Sequence, residues 1–124
     1  MATTETKKLF IEDDEIPWEV TAPGIRRKIM SWDERLMMVK VAFEKGAVGT
    51  LHRHPHTQIS HVESGVFEVE ACGETKILKA GDAFYIPPNA MHGAICLEAG
   101  MLIDVFSPMR EDFISKDHQS NGTK

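Results

Sequence analysis

Hydrophobic and polar residues alternate over short stretches of this chain, which is the pattern of strands in a sheet with one wet face. In residues 66–71, Phe67, Val69 and Ala71 share one side of the predicted strand and two glutamates share the other. The other runs of strand length, each bounded by turn residues, are 25–32, 36–43, 74–79, 83–86, 91–97 and 101–106. These runs predict a protein built mainly from short strands.

Turn residues divide the strand-length runs at intervals of roughly 8 to 12 residues. Turns are predicted at 63–65 and at 98–100, and the short stretch Pro108–Ser115 is the one good helix candidate. Strands do not alternate with helices along the chain. The sequence therefore predicts an all-β sandwich or barrel with a short C-terminal helix.

The length of 124 residues suits one domain, which could bury about two-thirds of the surface of the unfolded chain. We expect a single domain over residues 1–124, with a core at about 16–114 and flexible ends at 1–8 and 116–124. Met37 and Met38 are expected to fill the core rather than to bind a metal.

The charge balance limits the class of partner. Fourteen basic and nineteen acidic side chains give a net charge of −5, which disfavours nucleic acid. No run of about twenty apolar residues is present, so we expect no membrane span. The first fifteen residues lack the apolar stretch of a secretory signal, which predicts a cytoplasmic location. In that reducing compartment, Cys72 and Cys96 are expected to be free thiols.

Histidines are concentrated in residues 46–65, which contain four of the six in the chain. Side chains two apart on a strand face the same way, so His52 and His54 can present two imidazoles to one point, and Gln58 has the same parity. His92 follows a Pro-Pro turn and would arrive from another strand. Three neutral imidazoles and an oxygen donor suit one divalent ion such as zinc, nickel, iron or manganese, and the donors do not choose among them.

Two other histidines of this stretch are interpreted differently. His56 has the parity of the candidate ligands, but Pro55 is expected to distort the strand, so we place His56 beside the ligands rather than among them. His61 has the opposite parity and is expected either to face outward or to make a satisfied polar contact. A lone histidine is usually not a ligand, so the metal hypothesis depends on the joint spacing.

That spacing reads G-x5-H-x-H-x3-Q-x6-G, followed after fifteen residues by G-x5-P-x-N-x2-H. The two patterns resemble the paired motifs of the cupin superfamily, whose members are small double-stranded β-barrels with a metal at the barrel mouth. The resemblance implies a jelly-roll barrel, in agreement with the strand pattern. The chain departs from the general pattern at Gln58, Asn89 and Cys96, where glutamate, glycine and asparagine are usual.

These departures have different consequences. Gln58 keeps a carbonyl oxygen but removes a negative charge, so every protein ligand would be neutral and the metal a stronger Lewis acid. Asn89 can adopt the positive φ that a turn needs. Cys96 is expected to pack in the core.

The segment DVFSPMRED at 104–112, together with HRHPHTQISHVESG, resembles the pectin-degradation cupins of the KdgF type, which linearise unsaturated uronates released by polysaccharide lyases. The resemblance extends from about Trp18 to Phe113. It implies metal ligands at His52, His54, Gln58 and His92 and active-site residues at Asp104, Phe106 and Arg110. It also implies a homodimer, with Trp18, Trp32 and the N-terminal strands as candidate contacts.

Chemistry gives the three active-site residues separate roles. Asp104 could carry protons as a general acid-base, Arg110 offers a planar fork for a carboxylate, and Phe106 would form an apolar wall beside a sugar. From the residues alone, Asp104 could instead be a strand-end turn residue or the ion-pair partner of Arg110, and Arg110 a solvated charge. Glu111 and Asp112 are expected to complement the helix dipole without a site role.

The resemblance, together with these roles, implies a metal-dependent enzyme that converts a small anionic sugar, a 4,5-unsaturated monouronate, to its linear 5-keto form. One alternative is an iron-dependent cupin dioxygenase, against which the neutral Gln58 and the pair Asp104 and Arg110 argue. The other is a noncatalytic cupin that binds a sugar in the same pocket.

Overall fold

The computed structural model describes residues 8–114, and within that range eight strands form one antiparallel sheet. The strands are β1 (Glu19–Ala22), β2 (Ile25–Asp33), β3 (Leu36–Phe43), β4 (Val48–His52), β5 (Thr57–Ala71), β6 (Glu74–Lys79), β7 (Ala83–Ile86) and β8 (His92–Ser107). A 3₁₀ turn at Asp13–Glu15 precedes β1, and residues 111–114 form a short helix, α1. The predicted all-β fold with a C-terminal helix is confirmed. The ends predicted to be flexible lie, apart from residue 8, outside the described residues.

Two long strands, β5 and β8, organise the sheet because they pair along almost their whole length. Residues 57–62 of β5 pair with 102–107 of β8, and residues 66–71 pair with 92–98. Strands β3 and β7 extend the first of these halves, and β2 and β1 follow β3. Strands β4 and β6 extend the second half.

The turns predicted at 63–65 and 98–100 are wrong, since both segments continue through β5 and β8. The pairing register shifts there, which bends the strands without ending them. Gly65 has a φ of 85°, and a Cβ on it would lie 2.6 Å from the carbonyl oxygen of Glu98. The sequence pattern indicates a turn at Gly65. In the structure, its missing side chain lets the backbones of β5 and β8 approach closely at a bend.

The bend brings the two halves of the sheet face to face. Phe43 of β3 and Phe67 of β5 belong to opposite halves, and their rings meet edge to face with centroids 5.1 Å apart. The main core around them consists of Ile25, Ala47, Val62, Val69, Cys96 and Leu102. A smaller cluster of Met37, Val39 and Phe106 packs against Phe113 of α1. The alternation predicted for residues 66–71 is confirmed, because Phe67 and Val69 are buried.

Several single-residue predictions can be compared with this core. Met37 is fully buried, but Met38 is 44% exposed, so its assignment to the core is wrong. Neighbouring residues of one strand face opposite sides, and the sheet has only one dry face.

Cys72 and Cys96 are both free, as expected. Within residues 8–114, no helix has the length and apolar character needed to cross a membrane.

The two tryptophans proposed as dimer contacts already have partners within the chain. Arg26 and Lys28 lie over the ring of Trp18, at 4.7 and 4.8 Å from its centroid. Trp32 packs against the cluster that contains Phe106. The homodimer stays a prediction.

Gly100→Ala is expected to lower the free energy of unfolding by about 3 kcal/mol or more, since a Cβ there would overlap the carbonyl oxygen of Ser64 and the backbone of Gly65. The matched control is Gly49→Ala, whose Cβ would meet its nearest atom at 3.5 Å. Urea unfolding of both variants measures the difference. Equal stability of the two variants would show that close approach at the bend is not required.

Candidate metal centre and active site

Three histidines from different segments converge on one point. His52 ends β4 and His92 begins β8, and the two residues are paired across these strands. His54 follows β4 by two residues. The ring centroid of His92 lies 4.3 Å from that of His52 and 4.9 Å from that of His54. One nitrogen of each ring lies within 4.8 Å of the others, so the group could hold a metal ion.

The proline turn before β8 positions His92 relative to the first motif. Asn89 has a φ of 68°, which confirms the positive φ predicted for it. Its backbone N–H donates a hydrogen bond of 2.8 Å to the carbonyl oxygen of His54. This bond joins the two motif segments directly beside the histidine group.

Hydrogen bonds fix the tautomers of two of these rings. Nδ1 of His52 donates to the carbonyl oxygen of Thr50 and Nδ1 of His92 to that of Ala90, both at 2.9 Å. A neutral imidazole that donates from Nδ1 carries its lone pair on Nε2. Nε2 of His92 is buried and has no hydrogen-bond partner among the described residues. An oriented, unpaired acceptor of this kind is what a metal ion would satisfy.

Burial favours the neutral form of two candidate ligands, His54 and His92. It lowers the pKa of His54 to about 4, and the charge of Arg110 acts in the same direction. Burial also lowers the pKa of His92. A neutral imidazole is the form that binds a metal, so His54 and His92 can bind a cation at physiological pH without first losing a proton. The residues present fit one divalent ion and do not select among zinc, nickel, iron and manganese.

Gln58 connects the histidine group to Asp104. Its Oε1 lies 2.9 Å from Nε2 of His54, so the carbonyl oxygen faces the group as predicted. Its Nε2 donates to Oγ of Ser60 at 2.8 Å, and the Ser60 hydroxyl donates to Oδ1 of Asp104 at 2.6 Å. Ser60 is fully buried and was missed in the sequence, because only the register between β5 and β8 pairs it with Asp104.

Asp104 faces the interior from β8. Burial raises the pKa of its carboxyl to about 6, although the Ser60 hydrogen bond and the charge of Arg110 act against that rise. A carboxyl with a pKa near neutrality can both accept and deliver a proton. The ion pair with Arg110 that was an alternative for Asp104 is formed instead by Asp112.

Arg110 is buried against two aromatic rings. Its guanidinium carbon lies 5.0 Å from the ring centroid of Phe106 and 4.2 Å from that of Phe113. Its Nε and Nη2 donate to the two carboxylate oxygens of Asp112 at 3.0 and 2.8 Å. These bonds hold the pKa of Asp112 below its usual value. Asp112, for which no site role was expected, therefore orients a candidate site residue.

The remaining histidines of the first motif lie outside the group of three. His56 is buried, and its Nε2 lies 2.8 Å from Oε1 of Glu111, so it connects the motif to α1. This contact agrees with the expectation that His56 lies beside the ligands, and it gives Glu111 a contact that the sequence did not predict. His61 is exposed, as expected.

A cavity of about 400 Å³ brings the candidate metal and acid-base groups together. Its lining includes His52, Gln58, His92, Asp104, Phe106 and Arg110. This size suits one small molecule. Arg27 of β2 also lines the cavity, and nothing in its short-range sequence pattern indicates that position.

Comparison with known proteins agrees with this fold. Residues 39–106 match the family described as the cupin domain, and the chain belongs to that family, among its KdgF-type pectin-degradation members. The chain is 54% identical over 110 residues to the pectin degradation protein KdgF of Dickeya dadantii (strain 3937), covering 87% of this chain and 99% of that protein. The predicted resemblance is thereby confirmed.

Two solved structures are also similar to this chain. KdgF from Halomonas sp. has 47% identity and a TM-score of 0.82, with 86% of this chain and 99% of that chain covered. An RmlC-like cupin from Shewanella frigidimarina NCIMB 400 has 43% identity and a TM-score of 0.84, with 86% of this chain and 96% of that chain covered.

Proposed function

We propose that this protein is a metal-dependent enzyme that converts 4,5-unsaturated monouronates to the linear 5-keto form. The observation that carries the proposal is the carboxyl of Asp104, which has a pKa of about 6 and lines the same cavity as the histidine group. The relative from Dickeya dadantii is named a pectin degradation protein, and unsaturated uronates arise when lyases cleave pectin. The proposed ligands are His52, His54, Gln58 and His92, and the proposed active-site residues are Asp104, Phe106 and Arg110.

The reaction moves one proton and leaves the atomic composition unchanged. The carboxylate of Asp104 accepts the proton of the anomeric hydroxyl as the C1 carbonyl forms and the bond from C1 to the ring oxygen breaks. The freed oxygen remains on C5 as an enolate. Asp104 then delivers its proton to C4, and C5 becomes a ketone. A pKa near 6 favours both steps because the carboxylate prevails at neutral pH, while protonating it costs only about 1.4 kcal/mol.

The surrounding residues position the substrate and Asp104. Ser60 orients the Asp104 carboxyl through its 2.6 Å hydrogen bond. Arg110 supplies positive charge that attracts an anion despite the net charge of −5, and its hydrogen bonds to Asp112 do not use Nη1. Phe106 forms an apolar wall. A divalent ion held by the proposed ligands would act as a Lewis acid towards a substrate oxygen.

The decisive assay mixes the metal-loaded protein with unsaturated galacturonate and follows the absorbance of the enol ether. We expect the absorbance to fall as the double bond is lost. No fall with unsaturated uronates from pectin, alginate or glycosaminoglycans would overturn the proposal. Binding without a fall would favour the noncatalytic sugar-binding cupin, and oxygen consumption with a thiol or phenol would favour the dioxygenase.

Gln58→Glu is expected to tighten metal binding about tenfold and to slow turnover at pH 7 about tenfold. A glutamate keeps an oxygen ligand and adds a negative charge, but it cannot donate to Ser60. It also places a second carboxylate near Asp104, which raises the pKa of Asp104 further. Calorimetric metal titration and the pH dependence of kcat measure both effects. Unchanged metal affinity with an unchanged pH profile would contradict a ligand role for Gln58.

Two further predictions from the sequence belong to this proposal. We expect the protein to act in the cytoplasm on monouronates that result from polysaccharide breakdown, and to act as a homodimer. Neither nucleic acid nor a membrane is expected as a partner.

A further inference from the structure

Arg27 is a second guanidinium in the wall of the cavity that holds Asp104. It lies on β2, which is separated from β8 only by β3. Its side chain is 13% exposed. Arginine stays charged in proteins, so this position places a permanent positive charge on an almost buried surface.

The charge of Arg27 is only weakly paired within the protein. Its Nε lies 3.4 Å from Oε1 of Glu19, and its Nη2 lies 3.5 Å from Oε2 of the same residue. Nε is buried and makes no hydrogen bond to any described residue. By contrast, Arg110 holds Asp112 at 2.8 and 3.0 Å. A buried guanidinium with unsatisfied donors is destabilising, and a bound anion would relieve that.

Phe113 holds Arg27 and Arg110 at the same part of the cavity wall. The guanidinium carbon of Arg27 lies 3.8 Å from the centroid of this ring, and that of Arg110 lies 4.2 Å away. Stacking on an aromatic ring fixes the orientation of a planar guanidinium. Two cations therefore lie close together beside a cavity that is large enough for a small anion.

We propose that Arg27 binds the carboxylate of the monouronate and determines the specificity for an anionic sugar. The identity of that sugar rests on the proposed function. The contacts of Arg27 with Glu19 are long, at 3.4 and 3.5 Å, so a substrate carboxylate can compete with Glu19 for this guanidinium and accept two parallel hydrogen bonds from it. Arg110, held by Asp112, adds charge at the same wall. Asp104 then remains available to transfer protons.

The first experiment compares the steady-state kinetics of Arg27→Gln and wild type on unsaturated galacturonate. We expect KM to rise about 10-fold to 100-fold, since a hydrogen bond to a charged group is lost in the ground state and in the transition state alike. The value of kcat should change less than about threefold. Arg26→Gln is the matched control, because Arg26 is the exposed neighbour whose guanidinium lies over Trp18. Its KM should equal that of wild type.

The second experiment measures binding without turnover, using saturated galacturonate and neutral galactose with the metal-loaded protein. Wild type should bind galacturonate more tightly than galactose, and Arg27→Gln should lose that preference while its affinity for galactose is unchanged. Wild type could prefer galacturonate over galactose and still not turn over unsaturated uronates. The proposed function would then fail, but the loss or retention of that preference in Arg27→Gln would still decide whether Arg27 binds the carboxylate.

Undiminished preference for galacturonate in Arg27→Gln would overturn the proposal. A loss of affinity for both sugars alike would also overturn it, because it would indicate a structural role. If Arg27→Gln does not fold, Arg27→Lys replaces it, since lysine keeps the charge but not the paired donors. The preference should then fall several-fold, and an unchanged preference would contradict the role of Arg27.

Discussion

Asp104→Asn is expected to lower turnover sharply and, at the same time, to raise the stability of the metal-free protein at neutral pH. Asparagine can still accept the Ser60 hydrogen bond, but it cannot carry a proton. General acid-base catalysis contributes about 10²-fold to 10⁴-fold, so turnover should fall by that factor. The opposite effect on stability has its origin in the pKa of the carboxyl.

Folding raises the pKa of Asp104 from 3.8 to about 6, so the folded state favours the protonated carboxyl. The contribution of this carboxyl to the free energy of unfolding is fully present below pH 3.8 and is lost as the pH rises through 6. The full shift corresponds to about 3 kcal/mol, and we expect about 2 kcal/mol because the residue is partly open to the cavity. Asn has no charge to desolvate. The variant should therefore gain that stability above pH 6 and match wild type near pH 3.5.

Urea unfolding of metal-free wild type and Asp104→Asn, from pH 3.5 to 7.5, measures this difference. The control is Asp82→Asn, because the backbone N–H of Lys79 lowers the pKa of Asp82 and removal of its charge should lower stability at neutral pH. An Asp104→Asn protein that is no more stable than wild type at pH 7.5 would show that the carboxyl is not strained by burial. Turnover within tenfold of wild type would exclude Asp104 as the acid-base group.

His92→Ala is expected to weaken metal binding more than about 100-fold while the fold is retained. The change removes a buried Nε2 that has no partner among the described residues, together with the Nδ1 hydrogen bond to Ala90. Loss of one hydrogen bond costs about 1 kcal/mol, so the metal-free protein should stay folded. A metal at about 1,000 times its Kd stabilises a folded protein by about 4 kcal/mol. Wild type should show the corresponding rise in Tm on addition of zinc, nickel or manganese, and the variant should not.

His61→Ala provides the comparison, since His61 is an exposed histidine of the same motif. It should keep the full metal-dependent rise in Tm. Thermal unfolding with and without each ion, together with metal analysis of the purified proteins, distinguishes the two variants. A rise in Tm of wild-type size in His92→Ala would show that the ion binds elsewhere.

The candidate ligands could be predicted from the sequence because the patterns that indicate them involve only neighbouring residues. The parity of His52, His54 and Gln58 and the turn before His92 depend on a few neighbouring residues. Even so, the structure reaches the predicted convergence differently, since β4 ends at His52 and His54 lies beyond the strand. The positive φ of Asn89 was predictable because asparagine tolerates that conformation.

The residues that the sequence did not reveal depend on long-range pairing. Ser60 contacts Asp104 only because β5 and β8 align in one register, and Arg27 reaches the cavity only because β2 joins the sheet through β3. The glycines at 65 and 100 misled the prediction for another reason. Glycine indicates a turn and a close strand crossing equally well, and only the partner strand distinguishes the two.

The continuity of β8 couples the two halves of the proposed chemistry. His92 and Asp104 lie on one strand, on either side of the bend, so the backbone of β8 rather than a loop sets the spacing between the proposed metal site and the proposed proton carrier. A one-residue insertion between them would turn Asp104 and Phe106 to the outer face, because strand side chains alternate. Substitutions in the loops or in the cavity wall could therefore alter which substrate binds, while β8 alone keeps His92 and Asp104 at the same spacing.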